Sequence, residues 1–246
     1  MKKTMILGGA VIFLAFVLSG CPSPTGNGGA PAVVNPPPPA PGSSSLVINQ
    51  PVYSVTWDDM GTVWGGRAPG TRTVSGAGGS GTISGGYLNF HIGTPTWLQP
   101  ITNMWLFEDS TFSVVGVQAT ELWLSLGGGG SLDLFYESLT ISGNNFRIEY
   151  VERVHLFVDR DVVVTSPRRE VSGSWTYEGV TLNYTHVDQA FTLNLRAGWN
   201  AVHIRQVDSG TFTGTWENPT SATGNYTVTV STADPGRRLR WGLSLW

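Results

Sequence analysis

From Leu46 onward the chain runs in short stretches of alternating apolar and polar residues, each broken by glycine, asparagine or proline. This is the pattern of half-buried strands joined by tight turns. Beyond the N-terminal apolar run, no stretch keeps helical spacing for three turns. The pattern predicts strands at Val52–Trp57, Gly81–Ile92, Ile101–Phe107, Phe112–Gln118, Glu121–Leu126, Leu132–Ile141 and Phe146–Phe157. Further strands are expected at Val162–Thr165, Val171–Val187, Ala190–Leu195, Ala201–Val207, Thr211–Trp216, Tyr226–Thr232 and Leu239–Leu245.

Two hairpins are legible. Leu122, Leu124 and Leu126 share one face, Gly127 to Gly130 allow a turn, and Leu132 and Leu134 return. Phe191, Leu193 and Leu195 alternate with polar residues, Ala197-Gly198 turns the chain, and Val202 and Ile204 come back on one face. Successive hairpins imply an all-β fold, an antiparallel β-sandwich or sandwich-like domain over residues 46–246. Thr73–Ile92 and Glu170–Val187 look loosely alike, as a repeated sheet unit or as chance in a chain so rich in serine, glycine and threonine. Nothing near Ser166-Pro167 resembles a linker that would divide the domain.

The N-terminus is a different kind of sequence. Lys2 and Lys3 precede an apolar run from Met5 to Leu18, which ends in Leu18-Ser19-Gly20-Cys21. A basic start, a short apolar stretch and small residues describe an export signal over residues 1–20, expected as a helix. The run falls short of the roughly 20 residues of a membrane-spanning helix. Leu18-Ser19-Gly20-Cys21 resembles the lipobox of bacterial lipoproteins. That resemblance implies that Cys21 receives a lipid on its sulfur and becomes the mature N-terminus. Cys21 is the only cysteine, so no disulfide or cysteine metal site is expected. Residues 22 to about 45 are proline, glycine, serine and alanine without charge, a composition that cannot bury enough surface to fold. At about 3.1 Å per residue this tether reaches on the order of 75 Å. Pro22 stands where lipoproteins retained at the inner membrane carry aspartate. The resemblance therefore favours the outer membrane or cell surface.

Leu193-Asn-Leu-Arg-Ala-Gly-Trp-Asn-Ala-Val202 resembles a motif of uncharacterised lipoproteins of the Deinococcus–Thermus type, in which a Gly-Trp-Asn turn leads into the last hairpins of an exported β domain. The resemblance implies a fold and a location and carries no activity.

Charge narrows the partners. All lysine lies in the signal, so the remaining basic residues are arginines, outnumbered by 17 acids. An acidic domain has no general attraction to nucleic acid or to an anionic membrane. Arg168-Arg169 and Arg237-Arg238-Leu239-Arg240 read as solvated turn and edge charge.

No motif forces a chemistry. There is no Gly-x-Ser-x-Gly elbow, and Ser80 reads as a loop serine. His91, His155, His186 and His203 lie in predicted strands without metal spacing. Asp58-Asp59 and Asp159-Arg160-Asp161 read as turn caps, with a loose calcium site as the alternative, although the calcium-loop pattern is absent. No pair of acids is nominated for glycoside hydrolysis. No enzyme activity, metal or cofactor is expected.

The ten tryptophans are the unusual feature. Trp105 lies in an apolar run and is expected in the core. Trp64, Trp97 and Trp199 sit beside glycine or proline in expected turns, where an exposed ring would stack on a sugar or anchor a partner. A membrane barrel is disfavoured by the last strand: Arg240, Gly242 and Ser244 occupy the alternation that leads to Trp246, whereas Leu239, Trp241, Leu243 and Leu245 form the apolar face. The expected function is a lipid-anchored envelope protein with a structural or adhesive, non-catalytic β domain. The alternative is a glycan-binding module using turn tryptophans. Its partners would be the membrane, through the lipid on Cys21, and envelope glycans or envelope proteins, without nucleic acid.

Overall fold

The computed structural model describes residues 42–58, 61–177, 179–216 and 218–244. The strands in chain order are β1 (Leu46–Asp58), β2 (Gly61–Arg67), β3 (Arg72–Gly76), β4 (Gly79–Ser84), β5 (Tyr87–Ile92), β6 (Gln99–Pro100), β7 (Thr111–Phe112), β8 (Gln118–Glu121) and β9 (Ser125–Leu126). They continue as β10 (Ser131–Ser142), β11 (Asn145–Val158), β12 (Val162–Ser166), β13 (Arg169–Tyr177), β14 (Val180–Asp188), β15 (Phe191–Leu195), β16 (Gly198–Gly214), β17 (Pro219–Ser231) and β18 (Arg240–Ser244). The fold is all-β and sandwich-like: one fifteen-stranded sheet and a three-stranded sheet, β15-β12-β7.

Half of the large sheet closes on itself. β10, β18, β1, β5, β4, β3 and β9 pair in that order, and β9 pairs back to β10. Alternation decides what faces inward. Leu132 and Leu134 of β10, Trp241 and Leu243 of β18, Ile48 and Val52 of β1, Leu88 and Phe90 of β5, Ile83 of β4 and Val74 of β3 fill the ring. An apolar interior is the inverse of the outward apolar band of a membrane barrel.

The other half is an open sheet, β10-β11-β16-β17-β14-β13. Its long strands β11 and β16 pair without interruption from Asn145↔Thr211 to Val158↔Gly198. Leu156, Val158, Val202 and Val230 on one face pack with Val162, Val164, Leu193 and Leu195 of the small sheet, which makes the second layer. At the far end of the same sheet, Phe146, Ile148, Phe212, Ala222 and Trp216 form a third cluster.

Several expectations are corrected. Two pairings, β1 with β18 and β14 with β17, are parallel, so the sheet is mixed rather than purely antiparallel. Gly81–Ile92 is not one strand; the chain turns at Gly85-Gly86, both at positive φ, and the two halves pair. Val171–Val187 likewise folds back into the β13–β14 hairpin. Ile101–Phe107 forms two short 3-10 turns, Ile101–Asn103 and Trp105–Phe107, instead of a strand. Strand structure at Phe112–Gln118 is confined to its two ends. The hairpin expected across Ala197-Gly198 does not form: β15 belongs to the small sheet and β16 to the large one. The chain changes layers there. Asp161 accepts from the Ala197 amide and from the Arg196 guanidinium, and Asn200 accepts from the Arg196 amide. Gly198 has φ of +108°, and a Cβ there would lie 2.5 Å from the Ser43 carbonyl oxygen, so only glycine fits the switch.

Candidate functional site

Cys21, the signal and most of the tether lie outside the described residues, as do Asp59, Leu245 and Trp246. The described chain opens at Gly42, whose amide donates to the Trp199 carbonyl, while the Trp199 amide donates to the Ser43 carbonyl.

The three turn tryptophans separate. Trp199 is fully buried, 0% exposed, which corrects its expected exposure in a turn. It begins β16, donates its indole N–H to the Gly93 carbonyl at 3.1 Å and meets Phe157 edge-on at 5.5 Å. No ligand reaches it. Trp64 lies in β2 rather than a turn and is half-buried, 4.9 Å from Phe135 and 6.3 Å from Tyr53. Trp97 is 60% exposed, as expected of a turn ring.

Two further tryptophans join Trp97 at the surface. Trp105, expected in the core, is 56% exposed, and Trp123 is 58% exposed. The 3-10 turn explains Trp105: it sends Phe107 inward and leaves Trp105 outside. The β3–β4 turn sits between the segments bearing the other two. A Cβ on Gly76 would lie 2.3 Å from the Trp123 carbonyl oxygen, and one on Gly78 would lie 2.5 Å from the Thr96 hydroxyl. The glycines therefore let Thr96-Trp97 and Trp123 close on either side of that turn. The Trp105 indole donates to the carboxylate of Glu121, two residues before Trp123, at 3.2 Å. Glu121 is buried at the end of β8, and burial pushes its carboxyl up to about 7 against the lowering effect of the Trp105 bond. From Gly93 to Leu106 there is no charged residue, while Thr94, Thr96, Gln99, Thr102 and Asn103 supply hydroxyls and amides. Exposed indole faces among neutral donors and acceptors offer stacking and hydrogen bonding without charge.

The remaining candidates have structural work. Asp159 accepts from the Gln118 amide and from Arg160, and with Asp161 it pins turns. His155 and His203 are buried; burial, with Arg153 beside them, pushes them down to about 3 and about 4, so both are neutral. Arg153 donates to the His203 Nε2 at 2.9 Å. His186 contacts Asp188 at 2.9 Å. Ser80 lies in β4 rather than in a loop. Among the described residues no group of three His, Cys, Asp or Glu side chains is placed to hold a metal ion.

Sequence reasoning missed Trp105 and Trp123 because each lies in an apolar run that reads as a strand. The absence of charge from Gly93 to Leu106 was the available signal. No family, curated protein or solved structure matches the chain.

Proposed function

We propose that this protein is a lipid-anchored component of the cell envelope whose β domain is adhesive and non-catalytic. Cys21 carries the lipid, residues 22–45 hold the domain away from the membrane, and the tryptophan-bearing edge meets a partner. The observation that supports the adhesive role is the exposure of Trp97, Trp105 and Trp123, the first two within a stretch that carries no charge. Surface indoles at this density mark interaction sites, because each leaves apolar area in water that a partner would cover.

The neutral hydroxyls and amides around these rings favour a second reading in which the partner is an envelope glycan. Both readings meet one experiment. The full chain and a Trp97→Ala/Trp105→Ala/Trp123→Ala variant are expressed in a lipoprotein-processing bacterium beside a Cys21→Ser variant. Cys21→Ser is expected to leave the membrane fraction; retention there would overturn the anchor. Retention of the solubilised protein on insoluble peptidoglycan, chitin or cellulose, lost in the triple-alanine variant, supports the glycan. Failure on all three, with loss of binding to intact envelopes in the variant, supports a protein partner.

A further inference from the structure

A second constellation lies on the outer face of the ring, built from residues that the tryptophan edge does not use. Tyr53 of β1, Tyr87 of β5 and Phe135 of β10 point away from the packed interior, since Val52, Leu88 and Leu134 point into it, and Trp64 of β2 packs on Tyr53 and Phe135. Gly242 between Tyr53 and β10 makes this face possible. A Cβ there would lie 2.7 Å from both Phe135 and Val55, which close over the gap.

Two arginines rest on this aromatic floor. The guanidinium carbon of Arg67 is 4.9 Å from the Tyr53 ring centre and 4.6 Å from that of Tyr87. That of Arg240 is 5.7 Å from the same Tyr53 ring and 5.5 Å from Trp64. The two cations thus share one ring. Elsewhere acids take up arginines, as Glu149 does with Arg205 and Arg237 and Asp161 with Arg196. Arg67 and Arg240 make no ion pair among the described residues; Arg67 has only two long contacts, 3.4 Å each, to the Gly86 carbonyl and the Tyr87 hydroxyl. A guanidinium seated on an aromatic face keeps its in-plane N–H donors available for a carboxylate or phosphate. The shared Tyr53 is itself incomplete. It is 4% exposed, and among the described residues its buried hydroxyl has no hydrogen-bond partner. A buried phenol with no acceptor is costly, and an oxyanion drawn to the arginines would supply one.

We propose that Arg67, Arg240, Tyr53, Trp64 and Tyr87 form a binding site for an acidic glycan. The arginines and the Tyr53 hydroxyl take the anionic group, and the half-buried Trp64 and exposed Tyr87 rings take sugar faces. Aromatic rings on both flanks of the cations favour a sugar-borne anion over a bare ion or a lipid headgroup, which would leave those rings unused.

The test is calorimetric titration of the full-length protein, in detergent, with oligogalacturonate and with a neutral malto-oligosaccharide. The expected result is binding of the acidic chain alone, weakening as salt is raised. An Arg67→Gln/Arg240→Gln variant should bind at least about tenfold more weakly. Arg67→Lys/Arg240→Lys should lose affinity as well, because lysine keeps the charge without the planar fork. Arg67 is exposed, so Arg67→Gln alone carries the test if the double variant does not fold. The Trp97→Ala/Trp105→Ala/Trp123→Ala variant should bind oligogalacturonate normally, which separates this site from the tryptophan edge. Equal affinity for both sugars, undiminished binding by a folded Arg67→Gln/Arg240→Gln variant, or binding to phosphatidylglycerol vesicles with none to oligogalacturonate would overturn the proposal.

Discussion

Two tryptophans with similar local sequences have opposite fates. Trp97 follows Pro95-Thr96 and Trp199 follows Ala197-Gly198, so both stand beside turn formers. Trp199 is sealed because its backbone exchanges hydrogen bonds with Gly42 and Ser43, far away in the chain, while its ring fills the base of the ring core with Phe157. Trp97 has no such cover. Trp199→Ala should therefore cost about 3–5 kcal/mol through lost burial and the cavity left behind. Trp97→Ala should shift stability by no more than about 0.5 kcal/mol, as for an ordinary surface change. Urea unfolding of the two variants beside the parent measures both. Nothing local distinguishes the two rings, since the contacts that do come from Gly42, Ser43, Gly93 and Phe157, all distant in the chain.

Between the elements, the connection from β17 to β18 has the hardest task. It starts beyond β16 and must pass β11 and β10 to reach the ring. Glu149 of β11, which is buried, fastens it. Its carboxylate accepts from Arg205 of β16 at 2.7 Å and from Arg237 of the connection at 2.7 and 3.0 Å. Burial alone would push this carboxyl up, but the bonds and charges of Arg237 and Arg205 outweigh it and hold the group below its usual 4.5. A lowered value in the folded state means that the contribution is fully present above 4.5 and is lost as pH falls through the folded value. Glu149→Gln should cost about 1–3 kcal/mol at pH 7, with the difference from the parent shrinking as the solution is acidified below 4.5. Denaturant unfolding at a series of pH values reads this directly. A deficit that stays constant with pH would show that charge is not what fastens the crossing.

Across the whole molecule, buried ionisable groups pull in two directions. The pushed-down His155 and His203 refuse protons that the unfolded chain accepts below about 6.5. They weaken the fold as pH drops from 6.5. Glu121 and Glu152 are pushed up to about 7 and Asp208 to about 6, each by burial first. They hold protons that the unfolded chain releases, so they weaken the fold as pH rises from about 4.5 through 7. Both sets act between pH 5 and 6.5, and the stability profile there should be nearly flat. His203→Gln removes one of the two histidines from that balance. Relative to the parent, its stability should rise on acidification by about 1.4 kcal/mol per pH unit between 6.5 and 5. Thermal or urea unfolding across that window measures the slope, whatever fixed amount the loss of the Arg153 contact subtracts.

What could be read without a structure was what short-range physics dictates. Period-two alternation marks a strand by itself, so the all-β class, the long strands β10 and β11 and the inward face of Leu132 and Leu134 were legible. The turn at Gly85-Gly86 was missed although the inward positions change phase there, from Ile83 to Leu88, Phe90 and Ile92. Pairing was legible only across the glycine turn from β9 to β10. That Phe191–Leu195 joins the small sheet while Val202 and Ile204 join the large one depends on partners distant in the chain. So does the closing of seven strands into a ring. Folding also chose which tryptophans face water, and it brought Arg67, Arg240 and Tyr53 together from three separate strands. Exposure and juxtaposition are properties of the packed whole: a side chain's alternation places it on one face of its strand, and only the neighbouring layers determine whether that face is covered.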